Sequence, residues 1–385
     1  MIPISGTPYP ASAAFSKNNY LDVRIPNILG RKRAFFFGRG AEALYLILKL
    51  LRERTGKTEV IIPAYTPDVI YVAARQAGCK IKFCDMSLKS FNMNLTHLKY
   101  ITSENTLAII AVHLFGIPED IKLIEEITEG KGVFIIDDLC QAFGSRYRNR
   151  PLGSLGTASI LSFDKGKNLP AAGGGALLLD DENLIEEVEK VMPGTKPCSI
   201  CNEMMQKFRA AGISYLSRPE CYGLFRNIFS GYREVPAPME FEMNSMTKTQ
   251  QKLGTYLLSI SNDFLKTRHE WGTRLHTILM SHADYIVPKI SANQYVVWNR
   301  FPVLVREPGM RDKIRSSLTK GGIEANYLYG RTLFDQFDIK VERDYYDNAI
   351  RMAKHLITVP TNPFMTWKGY NEIERCFLGE TSKEI

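Results

Sequence analysis

Cysteine is scarce in this chain, with seven in 385 residues, an odd number, so the sequence does not describe a disulfide framework. Cys198-Ser199-Ile200-Cys201 has the spacing of half a zinc site. No second Cys or His pair completes it, since His269 and His276 lie seven residues apart, and no metal is expected. No apolar stretch approaches bilayer-spanning length, which argues against a membrane span. Met1 to Ala14 lacks a basic start followed by an apolar core, so no secretion signal is expected and the cytoplasm is the default. Internal repeats and low-complexity tracts are also absent. The basic excess, formally +8, is scattered apart from the short run Arg31-Lys32-Arg33. Without an arginine-rich helix or interleaved aromatics it argues against nucleic acid and fits an anionic small molecule at least as well.

What the chain does contain is an ordinary globular composition, 45% hydrophobic and 23% charged, at a length sufficient for two domains. From about 35 to 190, short apolar runs alternate with helical periodicity. Strands are expected at 60–62, 81–83, 107–112, 133–136, 158–162 and 176–179, and helices at 41–53, 68–77, 119–128 and 182–191. In the second helix Val69, Ile70, Val72, Ala73 and Ala77 share one expected face. Near-continuous apolar strands separated by helices imply an α/β domain with a mostly parallel sheet covered on both sides. After Pro193 the texture changes. Residues 194–240 carry Gly, Pro and Cys punctuation with scattered aromatics and read as an irregular or helical insertion, a lid or subunit contact. A helical stretch over 249–279 leads to a second unit with strands at 295–298 and 301–305 and helices near 311–320 and 345–356. The division expected is an N-terminal arm (1–30), a large domain (31–260) and a smaller α/β C-terminal domain (261–385).

Two segments carry chemistry. Val133-Phe134-Ile135-Ile136-Asp137-Asp138 is an apolar strand ending in a carboxylate, with Gln141 three residues on. Ser162-Phe163-Asp164-Lys165-Gly166-Lys167-Asn168 follows a second strand and precedes Gly173-Gly174-Gly175. A lysine after one strand and an aspartate at the end of another suit pyridoxal 5'-phosphate. The lysine binds it as a Schiff base, and the aspartate keeps the ring nitrogen protonated so that the ring accepts electrons. The pleat directs Asp137 and Asp138 to opposite faces, and Asp138 is taken as the partner of the ring, although a helix N-cap is the ordinary role for such a residue. Gln141 is placed to reach the ring hydroxyl. Gly38-Arg39-Gly40-Ala41 stands immediately before a helix, where free N–H groups and the helix dipole favour a phosphate. Ser162 can add its hydroxyl. Lys165 and Lys167 compete for the Schiff-base role on these grounds.

Taken in order, these blocks resemble the DegT/DnrJ/EryC1/StrS family of sugar aminotransferases. The matching segments are Ile61-Ile62-Pro63-Ala64-Tyr65-Thr66, Val112-His113-Leu114-Phe115-Gly116-Ile117-Pro118, Ile136 to Gly144, and Ser162 to Leu169 with the glycines. Gly321-Gly322-Ile323-Glu324 and Leu356 to Pro360 follow. The resemblance implies fold type I, with a seven-stranded, mostly parallel large domain and a smaller C-terminal one. It assigns the cofactor lysine to Lys167, five residues after Ser162. Asp138 falls at the pyridine nitrogen, Gln141 at the ring hydroxyl, and Ser162, Arg39, Gly40 and Ala41 at the phosphate. It further implies a homodimer with shared active sites that moves an amino group, from L-glutamate, to a nucleotide-linked keto-sugar. Sugar dehydratases on the same scaffold and non-catalytic sugar-nucleotide-binding or cofactor-binding relatives are the alternatives. The dehydratases often lack the lysine. Three positions depart from the pattern. The phosphate loop reads Arg39-Gly40-Ala41 instead of Ser-Gly-Thr, Pro67 replaces a ring-stacking aromatic, and Asn244 sits one place out of register.

Overall fold

The computed structural model describes residues 1–196, 199–224 and 240–379. Seven strands form the large sheet: β1 (Arg33–Phe37), β2 (Glu59–Pro63), β3 (Lys80–Cys84), β4 (Thr106–Val112), β5 (Phe134–Asp138), β6 (Ala158–Ser162) and β7 (Gly175–Leu179). Their spatial order is β1-β7-β6-β5-β4-β2-β3. The run from β3 to β6 is parallel, and β7 is antiparallel to both neighbours. All seven residues of β4 are buried, as a sheet covered on both faces requires.

Helices α1 (Leu21–Leu29), α2 (Gly40–Thr55), α3 (Asp68–Gln76), α4 (Leu95–Ile101), α5 (Ile121–Thr128) and α6 (Glu182–Val191) belong to this unit. The α3 face differs from expectation at one end. Val69 is exposed, and Tyr71 and Ala74 are buried beside Ile70, Val72 and Ala73. The buried stripe of α3 thus starts one residue later than expected. Strand β1, unread in the sequence, is a short antiparallel edge strand held by β7.

Of the irregular or helical alternatives for 194–240, the described residues include a helix, α7 (Ile200–Leu216). Cys198 lies outside the described residues. Cys201 is an exposed free thiol, and among the described residues no group of His, Cys, Asp or Glu has metal-binding geometry. The helical stretch expected over 249–279 consists of two helices, α8 (Lys248–Ser259) and α9 (Ser261–Leu279), broken where Ile260 leaves helical geometry at φ −112 and ψ 11. A capping box between Thr247 and Gln250 starts α8.

Strands β8 (Tyr285–Ile286), β9 (Phe301–Val305) and β10 (Leu356–Val359) make an antiparallel sheet. It is covered by α10 (Met310–Lys320), α11 (Asp347–His355) and α12 (Trp367–Leu378). The expected strand at 295–298 is mostly absent: only Gln294–Tyr295 pairs, with Arg146–Tyr147. Residues 296–298 are buried instead as an irregular connector. The N-terminal residues cross onto this smaller unit, where Ile2 N–H donates to Gly322 O at 2.8 Å and Ile4 N–H to Glu324 Oε2 at 2.7 Å. Arg31, the start of the basic run, is buried and donates to Asp180 Oδ2 at 2.7 Å and Ser159 Oγ at 2.9 Å. Its guanidinium is a structural staple, since desolvating it demands this many acceptors. Lys32 and Arg33 pair with Glu182 and Glu189.

Candidate active site

The carboxyl ends of β5 and β6 lie side by side, because Asp138 pairs in register with Ile160. Parallel sheets place ligand crevices at this end. Asp138 is buried, and its Oδ1 accepts the Cys140 N–H at 2.8 Å, which turns the chain sharply off the strand. Cys140 shows where the charges are. Burial pushes its thiol well above the usual range, the Asp138 carboxylate pushes it further, and Lys167 opposes them. The aspartate and the lysine, 29 positions apart in sequence, thus bear with opposite sign on the half-buried Cys140 thiol.

Above that sulfur sits the start of α2. Arg39 is extended as its N-cap and offers no side-chain cap, so the first N–H groups of the helix have no side-chain partner from that residue. A Cβ built on Gly40 would stand 2.9 Å from Leu161 O, 3.3 Å from Ser162 Cβ and 3.5 Å from Cys140 Sγ. Glycine is what allows helix, serine and thiol to share this space. Gly175 is tighter still, for a Cβ there would stand 2.2 Å from Gly40 N. The Arg39 side chain is exposed and close enough to Glu42 to favour its ionised form, although burial of Glu42 raises its pKa on balance. Glu42 accepts the N–H groups of Gly38 at 3.1 Å and Asn244 at 2.9 Å. Asn244 is thus tied to this loop through its backbone. Pro67 caps α3 and places no ring in the crevice.

Lys167 lies half-buried on the excursion between β6 and β7. The excursion is pinned without the lysine side chain. Phe163, fully buried, accepts the N–H groups of Ala171 and Gly173 and donates to Gly174 O. Next to the lysine, the buried Asn168 amide donates to Phe143 O and Val297 O, both at 3.1 Å, and to Gln141 O at 3.4 Å. Asn299 closes the clasp, with its amide donating to Gly166 O at 2.9 Å and Asn168 Oδ1 at 3.1 Å. Asn168→Ala strips three buried carbonyls and the Asn299 amide of their partner. It is expected to lower unfolding free energy by about 3 kcal/mol, since each unsatisfied buried group costs about 1–3 kcal/mol. Denaturant unfolding checks this, and an unchanged midpoint would show that the loop is held elsewhere.

Gln141 is committed at both ends. Its Oε1 accepts the Phe115 N–H at 3.1 Å and its Nε2 donates to the Tyr329 hydroxyl at 2.7 Å. His113 belongs to the other face of the sheet: Nδ1 accepts the Glu119 N–H at 2.9 Å, leaving Nε2 3.6 Å from Asp137 Oδ1. Both side chains are fully buried. Burial lifts Glu119 itself to about 8. This is a core cluster, separate from Asp138. Ser162 faces the crevice rim, where its Oγ makes only a long contact to the Asp164 N–H at 3.5 Å.

The model of the DegT/DnrJ/EryC1/StrS aminotransferase family matches residues 16–377. The chain belongs to that family. A GDP-4-keto-6-deoxy-D-mannose 3-dehydratase from Yersinia pseudotuberculosis is 36% identical to this DegT/DnrJ/EryC1/StrS member over 305 residues, 77% of this chain and 73% of the relative. A GDP-perosamine synthase from Escherichia coli O157:H7 is 30% identical over 175 residues, 44% of this chain and 48% of that one. Among solved structures, the PLP-form of the sugar aminotransferase Spr1654 from Streptococcus pneumoniae superposes with a TM-score of 0.71 at 20% identity. It covers 97% of this chain and 91% of its own. At that identity the likeness establishes the fold, a large mostly parallel sheet with a smaller unit behind it.

Asn168, Asn299, Tyr65 and Tyr329 were not singled out in the sequence. Asn168 adjoins Lys167 and its type, a buried amide in a loop, was the available signal. Asn299 and Tyr329 had none, because they reach the site from 131 and 188 residues away.

Proposed function

We propose that this protein is a pyridoxal 5'-phosphate-dependent aminotransferase that moves an amino group from an amino acid, L-glutamate, to a nucleotide-linked keto-sugar. The observation that carries this reading is the gathering of Asp138, Ser162 and the glycine-lined start of α2 around Cys140: Asp138 Oδ1 accepts the Cys140 N–H, and Gly40 faces both Ser162 and the Cys140 sulfur. A buried carboxylate, a lysine on the excursion after β6 and helix N–H groups without a side-chain cap from Arg39, beside a Gly40–Gly175 contact too tight for any Cβ, suit a pyridine ring, an aldehyde and a phosphate respectively. When bound, the cofactor supplies a ring that accepts electrons from the carbon losing its proton.

The residues divide the remaining work. Gly40 and Ala41 N–H groups at the positive end of α2, with the Ser162 hydroxyl, bind the phosphate. Arg39, exposed beside Glu42, adds long-range positive charge. Asp138 holds a proton on the ring nitrogen through a buried charge pair, and Gln141 orients the ring hydroxyl. Lys167 would hold the cofactor through its aldehyde, and its free amine would serve as the base and acid that moves a proton. Such a protein works as a cytoplasmic homodimer with shared sites. Support for a subunit contact comes from α7, which exposes Ile200, Met204, Phe208 and Tyr215 along one side. No helix among the described residues is long and apolar enough to cross a membrane.

Dehydration of the keto-sugar is the second reading, favoured by the identity to the Yersinia dehydratase. Product analysis separates the two. Purified protein with a GDP-linked 4-keto-6-deoxy sugar and L-glutamate is expected to yield amino sugar and 2-oxoglutarate in equal amounts. A deoxygenated keto-sugar with free ammonia and 2-oxoglutarate, glutamate supplying the two electrons, would replace transamination by dehydration, and neither sugar product with cofactor-saturated protein would count against both.

A further inference from the structure

Gln141 is fixed from a direction that the two-strand arrangement does not suggest. After Gly322 the smaller unit sends a loop back over the sheet. Tyr65 donates to Tyr327 O at 3.2 Å, and Leu333 N–H donates to Ala64 O at 3.0 Å, so the loop is docked on the end of β2. Between those anchors Leu328 adopts φ 60, a left-handed conformation that a branched side chain resists, and Gly330 adopts φ 64. The Asn326 side chain supports the turn by accepting the Leu328 N–H at 3.2 Å. The strained turn presents Tyr329. Its ring meets Tyr65 edge-on at 5.1 Å, and its hydroxyl accepts the Gln141 Nε2 proton at 2.7 Å.

On the opposite side, Phe115 is also left-handed, at φ 61, and its N–H points at Gln141 Oε1. The amide therefore has one permitted sense: oxygen toward a backbone donor, nitrogen toward a hydroxyl. Flipping it would set Nε2 against the Phe115 N–H, two donors facing each other, so Phe115 fixes the sense of the amide and the Tyr329 hydroxyl, donor and acceptor both, fixes its place. One Nε2 proton remains to donate. Burial keeps the Tyr329 hydroxyl protonated, with Tyr65 and Asp138 adding in the same direction.

We propose that Tyr329 is a positioning residue: from the smaller unit it locks the Gln141 amide so that one N–H is reserved for the phenolic oxygen of a hydroxypyridine ring. The two strained residues Phe115 and Leu328 are the structural outlay for that single orientation. The docking of the 326–333 loop thereby sets how well the ring hydroxyl is held. The proposal rests on the cofactor reading given above.

The test measures binding to apoprotein rather than turnover. Affinities for pyridoxal phosphate and for its 3-deoxy analogue, which lacks the ring hydroxyl, are measured by tyrosine and tryptophan fluorescence. The proteins are the parent, Tyr329→Phe, Gln141→Ala and the double variant. Tyr329→Phe is expected to weaken pyridoxal phosphate about fivefold, the value of one modest hydrogen bond, and to leave the analogue unchanged. In the Gln141→Ala background the same substitution is expected to do nothing, since a residue acting through another loses its effect when that partner is gone. Equal weakening of both ligands, additivity in the double variant, or no effect on either ligand overturns the proposal. A parent protein that binds neither ligand sinks the cofactor reading itself, which is a different result. Thermal unfolding of the apo variants distinguishes lost folding from lost binding.

Discussion

Lys167→Ala is expected to lower amino transfer from glutamate by about a thousandfold or more, with the unfolding midpoint within a few degrees of the parent. The first expectation follows from the lysine's two duties, engaging the aldehyde and carrying the proton; proton transfer by a positioned group alone contributes about 100- to 10,000-fold. The second follows from how its loop is held. Phe163, Asn168 and Asn299 supply the hydrogen bonds on either side, and Lys167 contributes only its N–H, to Asp164 O at 3.0 Å. A substitution of a half-buried side chain with no structural partner changes stability by about 0.5 kcal/mol or less. Turnover of 2-oxoglutarate formation and calorimetry on the same preparation check both halves. Partial rescue by added small primary amines is expected in the variant, because the missing group is a free amine in a crevice. Parental turnover in Lys167→Ala would remove the residue from the chemistry and reopen Lys165, two positions earlier on the same excursion.

The cues around Lys167 lay within a short span, a strand, a serine, a lysine and glycines, but they left Lys165 open, and the choice between the two came from the family spacing. Asp138 was legible as the last residue of an apolar run. The sheet followed from runs such as 107–112, whose continuous burial matches β4. The misreadings share a physical cause. Residues 296–298 are as apolar as a strand, yet their backbone groups are satisfied by side chains. Ser145 Oγ accepts the Val297 N–H, the Asn168 amide donates to Val297 O, and Thr361 donates to Trp298 O. Periodicity reports burial, and it is silent on which partner takes each N–H and C=O. The break at Ile260 escaped notice for a related reason: the apolar pattern runs through it with no Gly or Pro to mark it. Gln141 illustrates the limit most directly. Its position was readable, but the amide is held by Phe115 and Tyr329, and the orientation that decides its chemistry is set 188 residues downstream.

Gly175→Ala should do severe damage at the start of α2. Gly175 has ordinary extended geometry, pairing with Phe37 and Ser162 in the ladder, so backbone strain is not the issue. The obstruction is space: the new Cβ would stand 2.2 Å from Gly40 N and 2.4 Å from Arg39 C. Both atoms are backbone, and neither yields as the end of a flexible side chain would. Relief requires α2 to lift from β7 at its first turn, which separates the helix N–H groups from Ser162 and admits water between Gly40 and Cys140. Overpacking of this kind costs about 3 kcal/mol, and more where backbone must move. The expected result is therefore a folded but destabilised protein that has lost cofactor affinity by about a hundredfold, since a phosphate cradle works only while its donors converge. Gly173 and Gly174, at φ 120 and 105, need glycine for conformation. Gly173→Ala strains the excursion carrying Lys167 but leaves the Gly40 N–H groups in place. Phosphate competition against pyridoxal phosphate distinguishes these cases. Gly175→Ala should lose affinity for free phosphate and cofactor together, whereas Gly173→Ala should retain the phosphate, since Gly174 and not Gly173 bridges Arg39. Equal phosphate affinity in Gly175→Ala and the parent would place the anion away from the α2 N-terminus and remove Arg39, Gly40 and Ala41 from the site.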